Sequence, residues 1–311
     1  MGNKRSKAFA CFLNLGKKLL RNLPDYLCYQ TTLQNFFNKN QIYSYQHIFI
    51  KRSNKKAKIV FNLTIKVSSK SLNNTLICGP KLQSDLNYVL LNARSDPVAI
   101  ACDIDNFYRS ISLHPEDAEH LHIFARLDKF GNVSPTGNIT ECAINHLCYG
   151  LTSAPFIALR CILQLCQENK SKFPQATKIL ENSRYIDDLF FSAKTVSDCI
   201  ILKNELCEIL SKGQFVLNKF VSSHAEMLES NSDPDPIRFS EHNVTSVLGC
   251  LWDLKKDVFK FEFKPFLGKI TRRTCTSFLA KCFDSQGLLA PVLFYLKRFV
   301  QVLWHNHPNL G

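Results

Sequence analysis

The sequence has no Cys-x-x-Cys pair, no internal repeat and no low-complexity linker. It also has no apolar run near the roughly 18 residues that a membrane-spanning helix needs. Each absence removes a class of protein. The 13 cysteines are odd in number and scattered, so they suggest neither a zinc site nor a disulfide framework. Several lie in apolar runs (Cys78, Cys102, Cys250), where a thiol acts as a small buried hydrophobe in a reducing compartment. The pairs His120/His122 and His305/His307 have no ligand partners nearby and are read as incidental. With no spanning run and no secretory signal, the expected location is intracellular and cytoplasmic. The opening Met1-Gly2-Asn3-Lys4-Arg5-Ser6 matches the N-myristoylation pattern, which is short.

Acid is scarce relative to base. Lys and Arg number 39 against 26 Asp and Glu, giving a net charge of +13 and a pI near 9.1. Such a balance favours an anionic partner, with nucleic acid first and an acidic membrane surface second. Apolar residues make up 45% of the 311, so a core can form and disorder over most of the length is excluded.

Residues 1–40 are basic and mildly amphipathic. Ile42–Ile50 and Ile59–Phe61 flank a basic turn at Lys51–Lys56, the pattern of a hairpin with a charged tip. Ser84 and Asp85 can cap a helix carrying Leu86, Val89 and Leu90. Val98–Cys102 is apolar at consecutive positions, as in a central strand. Helices are expected from Ser153, from Thr195 (with Gly213 past its end) and from Pro291. Val258–Phe263 alternates as a half-buried strand that can pair with Val247–Trp252.

Two acidic features stand apart. Asp103 follows the apolar run 98–102, and Asp187-Asp188 sits between apolar stretches in Tyr185–Phe191, as at a hairpin tip. An Asp-Asp pair is ordinarily a solvated turn. Carboxylates gathered on one site, however, raise each other's pKa, a cost that bound divalent cations remove. Two such ions about 3.5–4 Å apart can activate a hydroxyl and stabilise a leaving pyrophosphate, and hard oxygen ligands suit Mg²⁺.

With these residues in view, the sequence resembles reverse transcriptases. Tyr185-Ile186-Asp187-Asp188 is similar to the family's Tyr-x-Asp-Asp hairpin, Asp103–Ile111 to its first palm motif, and Cys148–Phe156 to the segment under template and nucleotide. Gly213–Lys219 resembles a later palm motif, and Val247–Trp252 the primer-grip hairpin. Ser71–Leu76, Gly79–Gln83 and Phe283–Trp304 resemble the BEL/Pao class of long-terminal-repeat retrotransposons.

The resemblance implies an α+β right-hand polymerase fold, with fingers and an antiparallel palm sheet backed by helices, and an incomplete thumb or connection segment. Its divisions would be a basic segment 1–41, fingers 42–97, palm 98–130, a return to the fingers 131–150, palm with primer grip 151–263, and partial thumb 264–311. The implied activity is RNA-directed DNA polymerisation from a primer 3′-hydroxyl on an RNA or DNA template, with deoxynucleoside triphosphates and two Mg²⁺ ions (Mn²⁺ substituting). Asp103, Asp187 and Asp188 would be catalytic and would hold the metal together with the Ile104 carbonyl. Lys51, Lys58, Tyr108, Tyr149, Gly150 and Lys219 would contact the nucleotide, and Leu248, Gly249 and Trp252 the primer. Lys58 stands where the family usually has Arg, whose bidentate phosphate fork a lysine cannot make. RNase H, protease and integrase functions are expected elsewhere than in this chain. Such a protein could reside in retroelement particles. The alternative is a decayed or co-opted relative that binds nucleic acid without polymerising, and a structural or membrane-associated basic protein is the third reading.

Overall fold

The computed structural model describes residues 48–53, 56–61, 71–224, 244–262 and most of 269–306, with a few scattered residues before 35 and Met227. The Met1–Ser6 pattern, residues 42–47, Phe263 and His307 lie outside the described residues. The chain divides into two compact units, one formed by 1–82 and 106–162, the other by 83–105 and 163–311. Among the described residues no helix is long and apolar enough to cross a membrane.

In the first unit, β1 (Ile48–Ser53) and β2 (Lys56–Phe61) form a hairpin. Lys51 and Arg52, expected in the turn, continue the strand, and antiparallel pairing extends through Ser53 and Lys56. A 3-10 turn at Leu72–Asn74 follows. After a second 3-10 turn at Phe107–Ser110 come the short helix α2 (Pro115–Ala118) and the hairpin of β4 (His122–Leu127) with β5 (Asn138–Ala143). Phe107, Leu121, Ile123, Phe124 and Leu147 are buried here. Gly79 has φ +72°, and a Cβ there would stand 2.4 Å from Cγ of Phe156. Gly79→Ala therefore combines a left-handed alanine with a clash against a ring, and is expected to destabilise the protein by about 1–3 kcal/mol. Urea denaturation of the two proteins measures it.

The second unit begins with α1 (Leu86–Asn92), whose N-cap Asp85 accepts the Asn87 N–H at 2.9 Å, as its sequence suggests. Its sheet has the order β6-β7-β3-β8, every pairing antiparallel. These are β3 (Val98–Asp105), β6 (Arg184–Tyr185), β7 (Asp188–Ala193) and β8 (Val216–Ser222). The consecutive burial of Val98–Cys102 follows from packing on both faces. One face, through Ala99, Ala101 and Phe190, meets Val89, Leu90 and Ala93 of α1 together with Val247, Trp252 and Leu254. Helix α5 (Val196–Ser211) also packs on the sheet and buries Cys199, Leu202, Leu206, Ile209 and Leu210. Its N-cap Thr195 accepts the Asp198 N–H at 3.1 Å and donates to the Asp198 carboxylate at 2.7 Å. Between the strands run α3 (Ala154–Asn169), which continues from the first unit, and α4 (Pro174–Asn182).

A three-stranded sheet follows, of β9 (Val244–Val247), β10 (Cys250–Asp253) and β11 (Val258–Lys260). Val247–Trp252, expected to pair with Val258–Phe263, turns back at Leu248 (φ 52°) and Gly249 (φ 84°). Two successive left-handed residues match the right-handed twist of a two-residue hairpin, and glycine supplies one at no steric cost. The alternating stretch to Phe263 is a strand only to Lys260, and Phe261 is exposed. Helices α6 (Arg272–Ala280) and α7 (Ala290–Asn306) pack on each other.

Of the three thiols expected to be buried, Cys102 is buried, Cys250 is half-buried and Cys78 is exposed; Cys142, Cys148, Cys166 and Cys199 are also buried, and burial pushes Cys148 up to about 12.

Candidate active site

Antiparallel pairing brings the expected acids together in the second unit. Asp103 of β3 is the Cα partner of Asp188, the first residue of β7. The β6–β7 hairpin turns through Ile186 and Asp187, and the Ile104 N–H donates to the Asp187 carbonyl at 2.8 Å. Asp187 therefore occupies the turn, while Asp188 belongs to the sheet; they are not two equivalent tip residues. On its other side β3 pairs with β8, where Asp103 meets Asn218 after a register shift beyond Ala101.

Burial, with the neighbouring charges of Asp187 and Asp103, lifts Asp188 from an ordinary 3.8 to about 6. Lys219 lies next to Asn218 on β8 with φ 51°, and its ammonium pairs with the Asp103 carboxylate. Partial burial lowers the Lys219 pKa, but the hydrogen bond to Asp103 and the charges of Asp103, Asp105 and Asp187 outweigh it, and the net direction is up.

A pH dependence follows. Because Asp188 binds its proton more tightly folded than unfolded, its stabilising contribution is complete below the ordinary carboxylate value and is lost as pH rises through about 6. The metal-free protein is expected to melt at higher temperature at pH 5 than an Asp188-independent protein would, relative to pH 7.5. Asp188→Asn should shrink that pH difference in thermal denaturation, and an unaltered difference would refute the assignment.

The donor set suits a hard divalent cation, since it consists of carboxylates and backbone oxygens whose mutual repulsion is only partly relieved by one ammonium. The Oδ1 of Asn218, the residue paired with Asp103, is buried with no hydrogen-bond partner, leaving acceptor capacity at the site. Among the described residues no three His, Cys, Asp or Glu side chains stand closed around a common ion position, and Lys219 holds Asp103 instead.

Two contributors have no role assigned from the sequence. Gln83 receives the Ile186 N–H on Oε1 at 2.9 Å and donates through Nε2 to the Arg184 carbonyl at 3.0 Å. Arg184 is buried, and its guanidinium donates to the Ile186 carbonyl at 3.1 Å and the Leu180 carbonyl at 3.2 Å. Local sequence gives no signal for Gln83, because its partners are about a hundred positions away.

Of the expected nucleotide residues, Lys219 lies on β8 of the second unit and the other five in the first. Tyr108 is buried, and its ring meets the exposed Tyr149 edge-on, centroids 4.9 Å apart. Asn73 donates to the Gly150 carbonyl at 2.8 Å and accepts the Thr152 N–H at 3.2 Å, which fixes that loop. Lys51 and Lys58 are Cα partners across the β1–β2 hairpin. Of the expected primer residues, Leu248 and Gly249 form the β9–β10 turn, whereas Trp252 is a correction. It is fully buried against Phe190, centroids 5.1 Å apart, and its indole N–H donates to Asp257 at 2.8 Å. A side chain with no exposed surface holds the sheet and cannot touch a primer.

Comparison with known proteins bears on the fold. A family model described as Pao retrotransposon-like RNaseH-like domain matches residues 271–309, the region of α6 and α7. No curated protein matches the chain. Three solved structures of foamy viral protease-reverse transcriptase are similar to it. The one with an RNA/DNA hybrid has a TM-score of 0.57 and 13% identity, covering 88% of this chain and 33% of that one. The one with dsDNA has 0.55 and 15%, covering 90% and 57%. The dRH form with ds DNA has 0.53 and 15%, covering 87% and 46%. The chain therefore spans only a third to somewhat over half of the proteins it resembles. Over most of its length, this chain has the mixed α/β fold seen in retroviral protease-reverse transcriptase structures.

Proposed function

We propose that this chain is the polymerase core of a retroelement reverse transcriptase, adding deoxynucleotides to a primer 3′-hydroxyl. The observation that carries the reading is the convergence of Asp103 with Asp187 and Asp188, from the two separate segments of the second unit, on one strand and the adjoining hairpin of a single sheet. The fold likeness and the +13 charge support it. So do the ligands of the similar structures, which are bound to dsDNA or an RNA/DNA hybrid.

In this reading Asp103, Asp187 and Asp188, with the Ile104 carbonyl, would hold Mg²⁺, which supplies charge neutralisation for phosphoryl transfer when bound. The chain's own share is positioning. β3 and β7 fix the spacing of the carboxylates. Lys219 balances Asp103 and is an ammonium within reach of it, able to release that carboxylate. Tyr108, packed on Tyr149 in the loop that Asn73 fixes, would be the aromatic that excludes a ribose 2′-hydroxyl. Lys51 and Lys58 would meet the triphosphate.

The RNaseH-like description of the match at 271–309 suggests a second chemistry, RNA cleavage, but the residues oppose it. Asp284 is the sole carboxylate side chain in that segment, and its two oxygens accept the Leu288 and Leu289 N–H groups at 2.9 and 2.8 Å. A metal-dependent nuclease needs several free carboxylates. We read the segment instead as a helical part that follows the polymerase core.

Primer extension on a homopolymer RNA template with Mg²⁺ or Mn²⁺ tests the proposal. Extension supports it. Tight primer–template binding without extension by folded protein would replace it with the co-opted nucleic-acid binder.

A further inference from the structure

The turn that carries Asp187 is strained. Ile186 has φ 58°, a left-handed conformation that costs a β-branched residue of order 1–3 kcal/mol and persists only where the surroundings impose it. Three backbone groups of this turn have identified partners. The Asp187 carbonyl accepts from the Ile104 N–H, the Ile186 carbonyl from buried Arg184, and the Ile186 N–H donates to Gln83. Gln83 also donates to the Arg184 carbonyl, so one amide bridges the residues on either side of Tyr185.

The chemistry at position 83 is specific. The Ile186 N–H can only donate and the Arg184 carbonyl can only accept, so the bridging group must accept with one atom and donate with its neighbour. That requirement fixes the orientation of the amide. A glutamate at this position keeps the acceptor and loses the donor, while a methionine keeps the length and loses both. Asparagine is one methylene too short for the same reach.

We infer that Gln83 is a positioning residue of the active site, holding the strained Ile186–Asp187 turn in the conformation that presents Asp187 to a divalent cation. Gln83 reaches neither cation nor nucleotide, but acts through the backbone of the turn. The inference rests on the polymerase reading and extends it beyond the acids.

The test uses the full chain as parent, Gln83→Met, Gln83→Glu and Asp187→Asn, with Mn²⁺ binding read from the free-ion electron paramagnetic resonance signal. Deuterium exchange at the Ile186 amide and primer–template affinity are measured alongside. Gln83→Met is expected to weaken Mn²⁺ binding by roughly 10–100-fold, the usual cost of losing an outer-shell support. It should also expose the Ile186 amide to exchange and leave primer–template affinity unchanged. Gln83→Glu should keep Ile186 protection and fall between Met and parent, which separates positioning from a folding defect if the Met protein is damaged. If both Gln83 variants bind Mn²⁺ like the parent while Asp187→Asn does not, the inference is overturned and the polymerase reading stands. If the parent itself binds no Mn²⁺, both fall.

Discussion

Asp187→Asn is expected to lower nucleotide incorporation by roughly 10³-fold while leaving the fold and primer–template affinity intact. The side chain is nearly isosteric, so the change removes a charge and little volume. The turn is held through backbone atoms, by the Ile104 N–H, Arg184 and Gln83, and none of those bonds uses the Asp187 carboxylate. Thermal stability should hold or rise, since Asp187 is one of the charges that drive Asp188 up to about 6. The loss should therefore appear in the rate of single-nucleotide addition and in Mn²⁺ binding, with no matching loss in melting temperature. Incorporation preserved in this variant would sink the two-metal mechanism.

Trp252→Ala is expected to produce the largest loss of stability, about 3–5 kcal/mol. Trp252 is fully buried and packs on Phe190 of β7, within the cluster that joins α1, the central sheet and the β9–β11 sheet. Removing it opens a cavity and breaks the indole bond to Asp257. Asp257 has φ 51° and is also held by Arg94, which pairs with its carboxylate and donates to its carbonyl at 2.6 Å. Trp252→Phe keeps most of the packing and loses only the N–H bond, so it should cost about 1 kcal/mol. Urea denaturation of the three proteins measures both steps. A loss below 1 kcal/mol in the alanine variant would show that the cluster does not depend on this ring.

How much of this was legible in the sequence depends on the range over which each signal acts. Asp85 and Thr195 were readable as caps because a cap acts on the next two or three residues. β3 was readable because a strand covered on both faces is apolar at every position. The gathering of Asp103 with Asp187 and Asp188 came from resemblance, since nothing local to Val98–Cys102 says that β7 will be its neighbour. Gln83 and Arg184 were invisible for the same reason: their hydrogen bonds span the chain or depend on the shape of a turn. Trp252 was misassigned because a motif places a residue on a hairpin without saying which face is buried. Lys219 was legible as a candidate for the site, but its pairing with Asp103 required the β3–β8 register.

The alternation along β3 bears on how a copy of such an element loses function. Cys102 lies beside Asp103 on the strand and is buried, its thiol pushed up chiefly by that burial and also by Cys207 of α5. Neighbouring residues of a strand point to opposite faces, so a slip of one position exchanges them. Deleting any one codon between Val98 and Cys102 would keep all three aspartates in the reading frame and leave every motif recognisable. The shortened strand would nonetheless have to choose between seating its apolar residues and presenting its carboxylate. Inspection of motifs alone would pass such a copy as intact, and counting residues between Val98 and Asp103 is the cheaper check.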